Sequence, residues 1–177
     1  MSFEVYVEKW ATVNGADAAV DFKTGAAAAL RNLKVVLARA RHAWHTVVIG
    51  RYYSSVLLAV ELLAMNVYVV GTIMTSRLGY NKKLQSSSKT RPASIPHGSF
   101  SFLRSIAAPS MIAYVWWDRK PVYYLCTGAI MAESSIKRKL KKRGSVRVPC
   151  PSAVNNYQNW MSGVDVHDQL RLQSYSL

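Results

Sequence analysis

Carboxylates are scarce in this chain: nine Asp and Glu stand against 23 Lys and Arg among 177 residues, for a formal charge of +14 at neutral pH. A surface of that sign favours polyanions, either nucleic acid or an acidic membrane surface, and it makes every acid that is present worth locating. Cysteine is equally sparse. Cys126 and Cys150 lie far apart with no CxxC and no His-spaced companion, which excludes a zinc finger, allows at most one disulfide and points to a reducing compartment. No GxSxG elbow surrounds Ser54 or Ser55, and no third partner joins them to His42 or His45, so a nucleophilic hydrolase has no support. The N-terminal MSFEVYVEKW carries an early Glu4 and no apolar core of signal-peptide length, so nothing directs the chain to secretion. Internal repeats are also absent.

Half of the residues are apolar, enough to bury one core, and the length suits one domain with an insertion. The longest apolar run, VLLAVELLAMNVYVVGTIM from Val56 to Met74, approaches the ~20 residues of a membrane span. Glu61 sits near its middle, Asn66 interrupts it, and beyond Asn66 the β-branched and aromatic VYVVGTI suits a buried strand. A helix followed by a strand explains both halves without a membrane.

Residues 3–9, FEVYVEK, alternate as a half-buried strand does. Ala26 to His42 reads as a helix with Leu30, Leu33, Val36, Leu37 and Ala40 on one face. Trp44 to Ile49 is a short β-branched run, Tyr53 to Met65 a helix, and Val67 to Ile73 the next strand. This alternation implies parallel βαβ units and an α/β domain. Residues 75–96 form a polar, serine-rich, basic connector. Three antiparallel strands follow, over 99–104, 111–117 and 122–127, with Asp118–Pro121 as a hairpin turn, together resembling an inserted β-rich subdomain. Trp116, Trp117, Tyr123 and Tyr124 on these strands can stack on bases, although alternation along a hairpin more often means core packing.

Six basic residues crowd the seven positions of KRKLKKR: Lys137, Arg138, Lys139, Lys141, Lys142 and Arg143. The run is either a solvated charge cluster or a means of phosphate contact or nuclear import. Ser152 can cap a helix through AVNNYQNWM. Further on, Asp165 and Asp168 lie three apart in a helical stretch, so both carboxylates share a face, as a divalent cation such as Mg²⁺ requires; an ordinary solvated face has the same pattern. His167 between them points elsewhere.

PCPSAVNNYQNWMSGVDVHDQ, from Pro149 to Gln169, resembles the closing catalytic segment of piggyBac-like transposases. Further segments agree in the same order: FEVY at 3–6, TGAAAALRNL at 24–33, TVVIGRYYSSVLLAVELL at 46–63, VVGTIMTSRLG at 69–79 and WWDRKPV at 116–122. The resemblance implies an incomplete RNase H-like (DDE transposase) α/β core with a β-rich insertion. Its parts are a first piece of the core over 1–74, the connector, insertion and basic run over 75–148, and a C-terminal catalytic segment beginning in 149–177.

In such a core three carboxylates hold two Mg²⁺ ions, one activating the attacking oxygen and one stabilising the leaving oxygen. Asp165 matches the third catalytic Asp and Asp168 the supporting acid of the same segment. The second catalytic Asp belongs directly after the strand that here reads TVVIG, which puts Gly50 in its place. The first lies on a strand preceding FEVY and is not present. The chain is therefore expected to be a transposase-derived protein, nuclear or otherwise cytoplasmic, that holds DNA electrostatically without cutting it and without productive use of Mg²⁺. Two alternatives stay open: a domesticated DNA-binding or interaction module, and part of a metal-dependent nuclease completed by another copy or an intact relative.

Overall fold

The computed structural model describes residues 25–37, 43–128, 131–140 and 144–161. The alanine-rich stretch forms helix α1 (Gly25–Val36), whose Ala26, Ala29, Leu30 and Leu33 face the core. The predicted strand at 3–9, the last residues of the predicted first helix (38–42) and the stretch beyond 161 lie outside the described residues.

Strand β1 (His45–Ile49) leads into helix α2 (Val56–Ala64) and then strand β2 (Val67–Thr72). The two strands pair in parallel, His45 opposite Val67 through Ile49 opposite Gly71. The long apolar run thus breaks where Asn66 suggested it would, with Asn66 at φ 61 ending the helix. Among the described residues no helix is long and apolar enough to cross a membrane. Helix α2 starts three residues later than its composition suggested. Ser55 takes the N-cap, its Oγ accepting from the Leu58 N–H at 3.0 Å, while the Tyr53 and Ser54 N–H groups turn back to the Gly50 carbonyl. A cap bond satisfies an orphan donor of the first turn, so the helix begins where the cap is.

A single 3₁₀ turn (Lys82–Leu84) interrupts the connector. Strands β3 (Phe100–Arg104), β4 (Met111–Trp117) and β5 (Pro121–Thr127) then form an antiparallel meander. These strands join the core sheet and do not form a sheet of their own. β5 pairs with β2, Val70 opposite Cys126 and Thr72 opposite Tyr124, so one five-stranded sheet runs β1-β2-β5-β4-β3. The separate β element is a ribbon of β6 (Glu133–Leu140) and β7 (Gly144–Pro151). It carries the basic run, continues through Pro151, and is followed by helix α3 over residues 152–161.

Strand periodicity sorts the core into two layers. On one face Val67, Val69, Met111, Val115 and Leu125 pack under α1 and α2 with Leu58, Ala59 and Leu62. On the other, Val70, Ile112, Tyr114, Trp116, Tyr124 and Cys126 pack under the ribbon and α3 through Ile136, Val148, Cys150, Ala153 and Val154. Full burial of a Leu such as Leu62 contributes about 1.5–3 kcal/mol. The ribbon and α3 are thereby a structural layer, holding the basic segment against the sheet.

Candidate functional site

Parallel βαβ units place chemistry at the carboxyl ends of their strands, and Gly50 occupies that end of β1. Its carbonyl accepts from the Tyr53 N–H at 3.1 Å, the Ser54 N–H at 3.2 Å and the Ser54 hydroxyl at 3.1 Å. Ser54 is buried and acts in this turn; Ser55 caps α2. Neither is arranged as a nucleophile. On the neighbouring strand, a Cβ on Gly71 would stand 2.7 Å from Ser54 Oγ and 2.8 Å from the Ile49 carbonyl, so only glycine allows β1, β2 and the turn to close this tightly. Gly50 is different. Among the described residues a Cβ there would meet only Met161 Cε, at an ordinary 3.9 Å, so they leave room for a side chain at this position.

Asp165 and Asp168, with His167 between them, lie outside the described residues. The carboxylates that are described are Glu61 on α2, Asp118 in the β4–β5 turn and Glu133 on β6. Among the described residues no three His, Cys, Asp or Glu side chains gather as a cation would need. Gly50 has no side-chain oxygen and its carbonyl is already engaged by three donors, so the described strand end does not fit a divalent ion. Between β1 and α3 lies a hollow of about 570 Å³ lined by Thr46, Val47, Val48, Val70, Asn156 and Trp160. Among the described residues no titratable group lines it.

The basic ribbon is the second feature. Directly opposed residues of an antiparallel pair share a face. Lys137 opposes Arg147, Lys139 opposes Ser145 and Ser135 opposes Pro149. Lys137, Lys139, Ser145 and Arg147 are all exposed, and the Arg147 Nη1 donates to Ser135 Oγ at 3.3 Å. The opposite face carries Ile136 and Val148, both buried. Arg147 lies outside the run at 137–143, yet its position in the alternating VRV of β7 puts it beside Lys137. Lys141, Lys142 and Arg143 lie outside the described residues.

Arg138 is on the inner face. Its Nη2 is 3.1 Å from Asp118 Oδ2, and its guanidinium lies over the Trp116 ring at 5.7 Å. The other Asp118 oxygen is 2.7 Å from His97 Nε2. The Trp116 indole N–H donates to the Pro149 carbonyl at 3.0 Å, and Gly98, at φ +93, packs directly on that carbonyl. Connector, β4–β5 turn and ribbon meet in this clasp, which no sequence pattern announced because its members come from three separate segments.

The aromatic residues weighed as base stackers are mostly core. Trp116, Trp117 and Tyr124 are buried, and Tyr124 stacks on Tyr114 at 4.8 Å. Half-buried Tyr123 accepts from the Ser86 N–H at 3.0 Å. Burial pushes the hydroxyls of Tyr80, Tyr114 and Tyr124 above the ordinary tyrosine range. It also pushes the Cys126 thiol up to about 12 and raises Cys150. Both cysteines are free and buried, and so inert.

The sequence model of the family described as Transposase IS4 matches residues 3–176. The chain belongs to that transposase family. A cryo-EM structure of the piggyBac transposase synaptic complex with hairpin DNA is similar to it with a TM-score of 0.57 and 20% identity, over 82% of this chain. The transposase domain described here therefore has the mixed α/β, DDE-type fold of the piggyBac enzyme, in agreement with the resemblance read from its motifs. It spans 27% of that chain's length. No curated protein sequence matches it. Transposases of the DDE type generally work with a divalent metal.

Proposed function

We propose that this transposase-derived domain binds duplex DNA through its basic ribbon and does not cleave it. The observation that carries the reading is Gly50: the strand end where the family resemblance calls for a metal-binding carboxylate offers neither a side chain nor a free carbonyl. Lys137, Lys139 and the adjoining Lys141, Lys142 and Arg143 supply phosphate contacts, while Arg138 positions the ribbon through Asp118. Such binding is electrostatic and weakens steeply with salt. The excess of positive charge over the whole chain supports the same partner. The run 137–143 also suits nuclear import.

Asp165 and Asp168 are the family-matched remnants of the site. Without a carboxylate at position 50 they lack the partner that two-metal phosphoryl transfer needs. The test is incubation of the full chain with end-labelled duplex DNA and Mg²⁺ or Mn²⁺, read for both retardation and nicking. Retardation without nicking is expected. Nicking that Asp165→Ala abolishes would overturn the reading, and nicking only after an intact relative is added would assign the chain to a mixed assembly.

A further inference from the structure

We infer that the β6–β7 ribbon lies face-down in the major groove of B-form DNA, with Arg147 aimed at base edges and Lys137 and Lys139 at the flanking backbone. This deepens the DNA-binding reading and rests on it. The major groove, about 12 Å wide and 8.5 Å deep, admits a two-stranded ribbon, and the two strands of such a ribbon lie only about 5 Å apart.

The ribbon is asymmetric in the way this role requires. Its inner face is anchored by buried Ile136 and Val148, by the Arg138–Asp118 pair and by the Trp116–Pro149 bond. Its outer face presents Lys137, Lys139, Ser145 and Arg147, all exposed. With its inner face packed on the sheet, the ribbon offers a partner its positively charged outer face.

Chemistry and spacing narrow the partner further. Lys137 and Lys139 point the same way and stand two residues apart along β6, about 7 Å, close to two steps of axial rise along one DNA strand. Arg147 opposes Lys137 at the middle of the face, and its Nη1 donates to Ser135 Oγ at 3.3 Å, which places the guanidinium on the outer face. The planar guanidinium fork matches the O6 and N7 acceptors of guanine. Duplex RNA is disfavoured, because its major groove is too deep and narrow for side chains to read.

The experiment uses the full chain and a mixed-sequence DNA duplex, with dimethyl sulfate reporting on guanine N7 in the major groove and the slope of affinity against salt reporting on phosphate contacts. Expected are N7 protection in the complex, a loss of roughly 5- to 100-fold for Arg147→Ala with the salt slope nearly unchanged, and a salt slope lower by about 0.9 for Lys139→Ala. These outer-face substitutions leave the packed face intact, and circular dichroism verifies folding. Saturable binding without N7 protection, or equal competition by duplex RNA, would overturn the groove placement while leaving DNA binding in force. No saturable binding at all would remove both.

Discussion

Asp118 holds Arg138 at 3.1 Å through one carboxylate oxygen and His97 at 2.7 Å through the other, joining the basic ribbon and the connector to the β4–β5 turn. All three side chains are between about a fifth and a third exposed, so solvent screens the pairs and their worth is modest. Asp118→Ala is expected to cost about 1–2 kcal/mol of stability, mostly from leaving the Arg138 guanidinium without its acceptor over Trp116. Thermal melting measures the loss, and a change in Trp fluorescence at temperatures below the transition reports the loosened ribbon. A melting curve identical to that of the parent would show that the clasp contributes nothing.

The two glycines at the strand end should respond in opposite ways. Among the described residues the Cβ of Gly50→Asp meets only Met161, and the change is expected to alter stability by less than about 1 kcal/mol. Gly71→Ala drives a methyl against the Ile49 carbonyl and Ser54 Oγ, and the backbone shift it forces costs about 1–3 kcal/mol. Urea denaturation of the two variants beside the parent checks the contrast. Equal losses would mean that position 50 is as crowded as position 71.

Alkali should unfold this domain before it unfolds a protein without buried acids of this kind. The Cys126 thiol is pushed up to about 12 from an ordinary 9.0 by burial, and Tyr80, Tyr114 and Tyr124 are raised above an ordinary 10.0 for the same reason. These groups fold neutral. Their folded pKa values lie above the unfolded ones, so the stability they contribute is complete below about pH 9 and is lost as pH rises toward 12 and beyond. The midpoint of urea unfolding should be level from about pH 7 to 9 and fall steadily above it. A flat profile through about pH 11 would contradict the burial of these groups.

Local pattern made much of the architecture legible. Asn66 and the change from Leu- and Ala-rich to β-branched residues marked the break between α2 and β2, because helix and strand preferences are set within a few residues of each position. Alternation located β3, β4 and β5 to within a residue or two, and the DRKP turn between β4 and β5 was recognisable from Asp and Pro. The motifs around Asp165 and the gap at Gly50 were read from the chain alone, and the family match over 3–176 agrees with the kinship they implied.

What local pattern could not supply was which strands meet. Strand β5 lies beside β2 across an intervening stretch of about fifty residues, a pairing set by long-range hydrogen bonds and by the sorting of side chains to two faces, so the meander extends the core sheet where composition suggested a separate unit. The same limit hid the role of Arg138. In the run KRKLKKR every cation looks alike, yet strand geometry turns Lys137 and Lys139 outward and Arg138 inward. Sequence alone determined the domain's charge and the order of its elements from α1 to β5, while the strands β6 and β7 went unread within a run of cations. Tertiary structure decided which charges are free to meet a partner, because a side chain's direction depends on what its strand packs against, and that is written in residues far away along the chain.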